Sequence, residues 1–304
     1  MIGASRILDG KAIASQVIAD LKLEIAELRK QRGILPSLAL MLVGDHPSQE
    51  VFVRNKVRAC EQVGIRAELV RLGAESTLRD LWAAIEKLNA RTDLGGVLVQ
   101  LPLPRHLPED RVLPMIDPRK DVEGFHPSNL GRLCLGQPKL VPCATGAILE
   151  LLRRIGIDPA GRHAVIVGSS YAVGRPTALL LLHHGASVAL CQPDNPQLRE
   201  LTAQADVLIA AAGPPGTIGP SHVKPGAVVI DAAVSRLNNE LEVRRAFPGD
   251  AEALARFRER GYALAGCVAA QVRELAGALL PVPGGFGSLT IAFLLKNTVQ
   301  VSAQ

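Results

Sequence analysis

Four apolar runs constrain this 304-residue chain more than any other feature. They read LALMLVG at 38–44, HAVIVGSS at 163–170, DVLIAAAG at 206–213 and AVVIDAAV at 227–234. Short runs of this kind, uniformly apolar and often closed by glycine, fit strands buried on both faces of a parallel sheet. Parallel strands need crossovers, and the stretches between these runs carry helical spacing. Ile13, Val17, Leu21, Ile25 and Leu28 recur at intervals of three and four across 11–31. Residues 48–63, 78–90 and 173–185 also read as helices, while AELVRLG (67–73), GGVLVQLPLP (95–104) and SVALCQ (187–192) read as further strands. AILELLRRIG starts a second α/β unit near 146, and SLTIAFLLKNTVQVSA (288–303) reads as a closing helix.

The pattern predicts an α/β fold of two three-layer domains, the C-terminal one Rossmann-like and suited to a dinucleotide. The expected bounds are 1–145, 146–287 and a C-terminal helix at 288–304 that packs back on the first domain. The formal net charge of +5 is spread without any run of five basic residues, so no nucleic-acid footprint is expected. Five cysteines stand far apart with no C-x-x-C pair, which predicts reduced thiols in a cytoplasmic protein and no metal site. The N-terminal MIGASRILDGKAIASQV is polar where a signal peptide is apolar. No apolar stretch reaches the roughly 18 residues of a membrane span, so no membrane partner is expected.

The loop GSSYAVG, 168–174, follows a strand and opens a helix. Gly168 and Gly174 there allow a close backbone approach to a phosphate, and the helix start offers free N–H groups. The spacing is not G-x-G-x-x-G, so taken alone the loop reads more readily as a tight structural turn than as a cofactor site. The acid that binds an adenosine ribose is absent after the next strand, where Cys191, Gln192 and Pro193 stand, with Asp194 just beyond. In the first half, Gln100 ends a strand and Lys56 lies on a helix that can face the same crevice. Taken singly, the lysine fits a solvated face and the glutamine a turn. The polar run KDVEGFHPSN, 120–129, holds Asp121 and His126 and reads as a ligand-lining hinge.

The combination resembles the methylenetetrahydrofolate dehydrogenase/cyclohydrolases. ILDGKAIA, LVGDHPS, VRNK, ACEQVGI, GGVLVQLPLP, KDVEGFHPSNLGRL, VPC, VIVGSSYAVGRP, ADVLIAAAG, GAVVIDAAVSR and PVPGG carry the resemblance over nearly the whole chain. It implies oxidation of 5,10-methylenetetrahydrofolate with NADP, the family default, or NAD, then hydrolysis to 10-formyltetrahydrofolate at one folate site between the domains. It implies that Lys56 manages the proton, that Gln100 tunes it and that Asp121 anchors the pterin. Phe52, Val99, Leu101, Pro102, Pro283, Gly284 and Gly285 would line the substrate. Gly168, Ser169, Ser170, Val173, Gly174, Arg175, Gln192, Pro193, Ala212, Gly213 and Ala233 would line the cofactor. A homodimer is also implied.

This chain departs from the family pattern near its ligands. Phe52 replaces a tyrosine, so stacking on the folate is retained but no hydroxyl reaches Lys56. Gln49 stands in place of a serine, PCAT in place of P-C-T-P, and PVPGGFGSLT in place of P-V-P-G-G-V-G-P-M-T. Gln192 and Pro193 replace a basic or His-Ser pair, Asp231–Ala232–Ala233 replaces D-V-G, and 251–280 is longer than the pattern. A paralogue with one activity and a non-catalytic folate or nucleotide sensor are the alternatives. Retention of Lys56 favours an enzyme, since a pure binder has no use for it.

Overall fold

The computed structural model describes residues 6–304; residues 1–5, part of the N-terminal stretch read above, lie outside the described residues. The first half runs β1 (Arg6–Ile7), α1 (Gly10–Arg32), β2 (Ser37–Val43), α2 (Pro47–Val63), β3 (Arg66–Leu72), α3 (Leu78–Asn89), β4 (Gly96–Val99), α4 (Glu109–Val112), α5 (Pro127–Cys134) and α6 (Cys143–Arg154). The second half runs β5 (His163–Val167), α7 (Gly174–His183), β6 (Ser187–Cys191), α8 (Leu198–Thr202), β7 (Val207–Ala210), β8 (Val228–Asp231), β9 (Ser235–Leu237), α9 (Glu240–Ala246), α10 (Ala251–Arg260), β10 (Ala263–Ala265), β11 (Ala278–Leu280) and α11 (Phe286–Ser302). The chain divides into two compact units. One combines 14–146 with 290–304, and the other combines 147–289 with the chain up to Ile13.

In the unit built on 14–146, a parallel sheet runs in the order β3-β2-β4. All seven residues of β2 are buried, as a central strand covered on both faces requires. Ala39, Met41 and Val43 pack with Leu81, Ile85 and Leu88 of α3 in one core. Thr77 and Asp80 form a capping box at the start of α3. At its other end Lys120 Nζ donates to the carbonyls of Leu88, Asn89 and Arg91 at 3.2, 2.8 and 2.5 Å, supplying the cation that a helix C-terminus favours. That lysine begins the 120–124 loop. Val97 N–H donates to Lys120 O at 2.8 Å and Val97 bridges Asp121, so the loop runs beside β4.

The other unit carries a six-stranded parallel sheet, β1-β11-β8-β7-β5-β6. Its core holds Val165, Val167, Leu208, Ala210, Val229 and Leu279. Three differences from the sequence reading appear. Arg6 and Ile7, within the stretch assigned to the first domain, pair with Ala278 and Leu279 of this sheet. The run 227–234 leaves the ladder at Asp231, because the carboxylate there accepts backbone N–H groups from a different segment. Between Ser235 and Ala265 an antiparallel pair, β9 with β10, closes over α9 and α10 around Leu237, Val243, Ala253 and Ala265. No helix of the described residues is long and apolar enough to cross a membrane.

Candidate active site

α2 places Val53 and Cys60 in the core and turns Phe52 outward, 57% exposed. One helical turn on, the Lys56 side chain is only 15% exposed. Its Nζ donates to Gln100 Oε1 at 3.2 Å and to Glu123 Oε1 at 3.0 Å. Gln100 sits immediately after β4, is itself buried, and anchors its amide by donating from Nε2 to Leu101 O at 2.6 Å. Three segments far apart in sequence thus converge on one ammonium group: a helix, a strand end and the polar loop.

The carboxylate in this cluster is Glu123, which sequence reasoning missed in favour of Asp121. Asp121 is 2% exposed. Its Oδ1 accepts the Gly124 N–H at 3.0 Å, and its Oδ2 accepts the His126 N–H at 2.8 Å and Asn129 Nδ2 at 2.9 Å. Burial pushes its carboxyl above the usual range while those N–H donors oppose the rise. Asp121 therefore braces its own loop from within. The chain turns after Asp121, and Glu123, two residues on, meets Lys56; the letters KDVEGFHPSN do not show which of the two acids does so. His126 accepts the Ser128 N–H through Nδ1 and so caps α5.

The remaining substrate positions separate. Val99 is buried in the core, so its side chain is committed to packing. Leu101 is half-buried and Pro102 exposed, and the Pro102 carbonyl accepts Gln49 Nε2 at 2.5 Å. Pro283, Gly284 and Gly285 follow β11 in the other unit, where Gly284 O accepts the Gly10 N–H at 2.8 Å. Gly285 takes φ +97°, and a Cβ there would lie 2.4 Å from Lys11 N.

In the six-stranded unit the cofactor positions gather at the carboxyl ends of β5, β6, β7 and β8. Gly168 takes φ +103°, and a Cβ on Gly174 would lie 1.8 Å from Gly168 O. Only glycine permits this turn. α7 starts after Val173 with no side-chain cap, so the positive end of the helix faces the turn. Ser170 O accepts the Arg175 N–H at 3.1 Å, Ser170 Oγ accepts the Val173 N–H at 3.2 Å, and the Arg175 side chain is exposed. Gln192 donates to Ser169 Oγ, and Pro193 follows it, half-buried. Ala212 and Gly213 follow β7, with a Cβ on Gly168 only 2.5 Å from that of Ala212. Ala233 is buried, and its N–H donates to Asp231 Oδ1 at 3.3 Å. This cradle fits a dinucleotide pyrophosphate.

A parallel sheet with a glycine-turned first crossover is the frame of dinucleotide-dependent enzymes. Comparison with known proteins narrows that class. Residues 142–304 match the tetrahydrofolate dehydrogenase/cyclohydrolase NAD(P)-binding domain, and residues 8–123 match the catalytic domain of the same description. The bifunctional protein FolD of Koribacter versatilis is 43% identical over 296 residues, covering 97% of this chain and 96% of that protein. The crystal structure of the bifunctional enzyme FolD from Campylobacter jejuni superposes with a TM-score of 0.88 at 37% identity, covering 98% and 99% of the two chains. The Trypanosoma brucei enzyme, solved with NADP cofactor and inhibitor, gives 0.87 at 31% identity, covering 98% and 97%. The chain belongs to the tetrahydrofolate dehydrogenase/cyclohydrolase family.

Proposed function

We propose that this chain catalyses both reactions of its family: oxidation of 5,10-methylenetetrahydrofolate to the methenyl form, then hydrolysis to 10-formyltetrahydrofolate. The observation that carries this reading is the Lys56 nitrogen held between Gln100 and Glu123. A bound nicotinamide dinucleotide, NADP or NAD, supplies the hydride acceptor for the first reaction. Hydride loss leaves a cation delocalised over N5 and N10, so that step needs orientation more than proton transfer. Phe52, exposed on the same helix, offers a ring for stacking.

Hydrolysis does need proton handling. Water adds to the methenyl carbon and the C–N5 bond breaks: one proton of the water reaches N5, and the other is released as the hydroxyl becomes the formyl carbonyl. Lys56 relays the first of these protons from the water to N5. Gln100 Oε1 and Glu123 Oε1 accept from the nitrogen and fix where its remaining position points. In this reading Glu123 joins Lys56 and Gln100 in the proton-handling cluster, and Asp121 keeps the pterin-anchoring role that the resemblance implies. The resemblance alone supports the finer assignments: a homodimer in the cytoplasm, a folate-binding domain at 1–145, a cofactor domain at 146–287 and a closing helix at 288–304. Sedimentation of the purified protein tests the dimer.

The function is tested by following methenyl absorbance with methylenetetrahydrofolate and each dinucleotide, then its decay after the dinucleotide is exhausted. Both phases are expected. Formation without accelerated decay would support the one-activity paralogue, and neither would support a sensor.

A further inference from the structure

Asn297 is an amide in the middle of the apolar helix α11 and is 2% exposed. Its Nδ2 donates to Val122 O at 2.9 Å and to Val141 O at 3.1 Å. The Val122 carbonyl also accepts the Cys143 thiol, Sγ to O 3.2 Å. Val122 precedes Glu123, and the peptide between them is a rigid plane. Two donors on the Val122 oxygen therefore fix the plane from which Glu123 departs.

The plane on the other side of Glu123 is fixed as well. The Gly124 N–H donates to Asp121 Oδ1 at 3.0 Å. Gly124 itself, at φ +77°, presses against the Val141–Pro142 peptide, where a Cβ would lie 2.5 Å from Val141 C. With both flanking peptides held, the Glu123 side chain has only its own rotamers with which to meet Lys56.

From these contacts we infer that Asn297 is a positioning residue for hydrolysis, acting through the Val122 carbonyl on the Glu123–Lys56 contact. This rests on the proposed role of Lys56. A group 2% exposed, with its amide committed to two loop carbonyls, touches no substrate. Its effect falls on the proton-handling step and spares hydride transfer, which depends on the ring and the cofactor cradle.

The test compares kcat for both reactions in Asn297→Ala, Cys143→Ala and Leu295→Ala. Leu295 is buried on the same helix but has no donor to offer the loop. Asn297→Ala is expected to lower hydrolysis by about 10-fold or more while dehydrogenation changes by less than about 3-fold, since small displacements at a site are costly. Cys143→Ala is expected to shift the ratio the same way but less, a thiol being the weaker donor. Leu295→Ala is expected to leave the ratio unchanged. An unchanged ratio in Asn297→Ala, or the same split in Leu295→Ala, overturns the inference. If Asn297→Ala does not fold, Cys143→Ala decides, and an unchanged ratio there overturns it. Absence of hydrolysis in the parent protein would instead refute the reading of Lys56.

Discussion

Gln192 donates its side-chain amide to the hydroxyl of Ser169, joining the end of β6 to the turn after β5. Both groups are neutral, and they occupy the positions where this family's cofactor contacts are expected. The 2′-phosphate of NADP adds up to two negative charges and is best met by a guanidinium. A hydroxyl and an amide offer hydrogen bonds without that charge, and Asp194 nearby is exposed and acidic.

The cofactor preference should therefore be weak. NADP over NAD is expected by less than roughly 30-fold in kcat/KM, or about 2 kcal/mol. Gln192→Arg should widen it by giving the phosphate a cation. Steady-state kinetics with both dinucleotides at equal ionic strength measures this, and a preference above roughly a thousandfold in the parent would contradict the contact just described.

Lys56→Met keeps most of the side-chain volume and removes the nitrogen held by Gln100 and Glu123. Hydrolysis should fall at least ~10²-fold. Thermal unfolding should change far less than hydrolysis, because methionine keeps the packing of the lysine stem and Glu123, at 21% exposure, still reaches water. Hydrolysis at the parent rate would remove Lys56 from the mechanism.

Phe52→Tyr adds a hydroxyl to an exposed ring, so folding should tolerate it. The hydroxyl serves proton transfer, whereas hydride transfer needs stacking and position. Hydrolysis should rise by more than dehydrogenation in assays of the same preparation. Equal changes in both would show that the hydroxyl has no part in moving the proton.

Asp231 titrates inside the folded protein. Burial raises its carboxyl to about 6, against the pull of the Val268, Cys267 and Ala233 N–H groups. Because this carboxyl is raised rather than depressed, the folded state holds its proton over a pH range in which the unfolded chain has lost it. Between about pH 4 and pH 6 the native state binds more protons, so this group's contribution makes stability fall as pH rises. Asp231→Asn should flatten that decline, by roughly 2–3 kcal/mol across the window. Urea unfolding of both proteins at intervals from pH 4 to pH 7 measures the slope; parallel curves would exclude the effect.

The buried strands could be read in the sequence because a strand covered on both faces admits almost nothing but apolar residues, as β2 and β7 show. β1 could not be read: two residues have no periodicity, and their partners, Ala278 and Leu279, lie near the other end of the chain. Lys56 and Gln100 could be nominated from their places on a helix and a strand end. Glu123 could not, since only the inward turn of Asp121 decides which of two neighbouring acids faces the lysine. Asn297 did leave a trace, an amide amid FLLKNTVQV, but its two carbonyl partners come from loops that carry no pattern of their own.

The pairing of β1 with β11 and the grip of Asn297 on the Val122 carbonyl share a consequence for biosynthesis. A ribosome makes Arg6 well before Ala278, on the order of tens of seconds earlier at ordinary elongation rates. Throughout that interval the first strand has no ladder to join. The Glu123 loop likewise waits for Asn297, which is made long after it. A nascent chain stalled before α11 would contain Lys56, Gln100 and Glu123 yet hold them without the Asn297 clamp, so this site is completed late in synthesis.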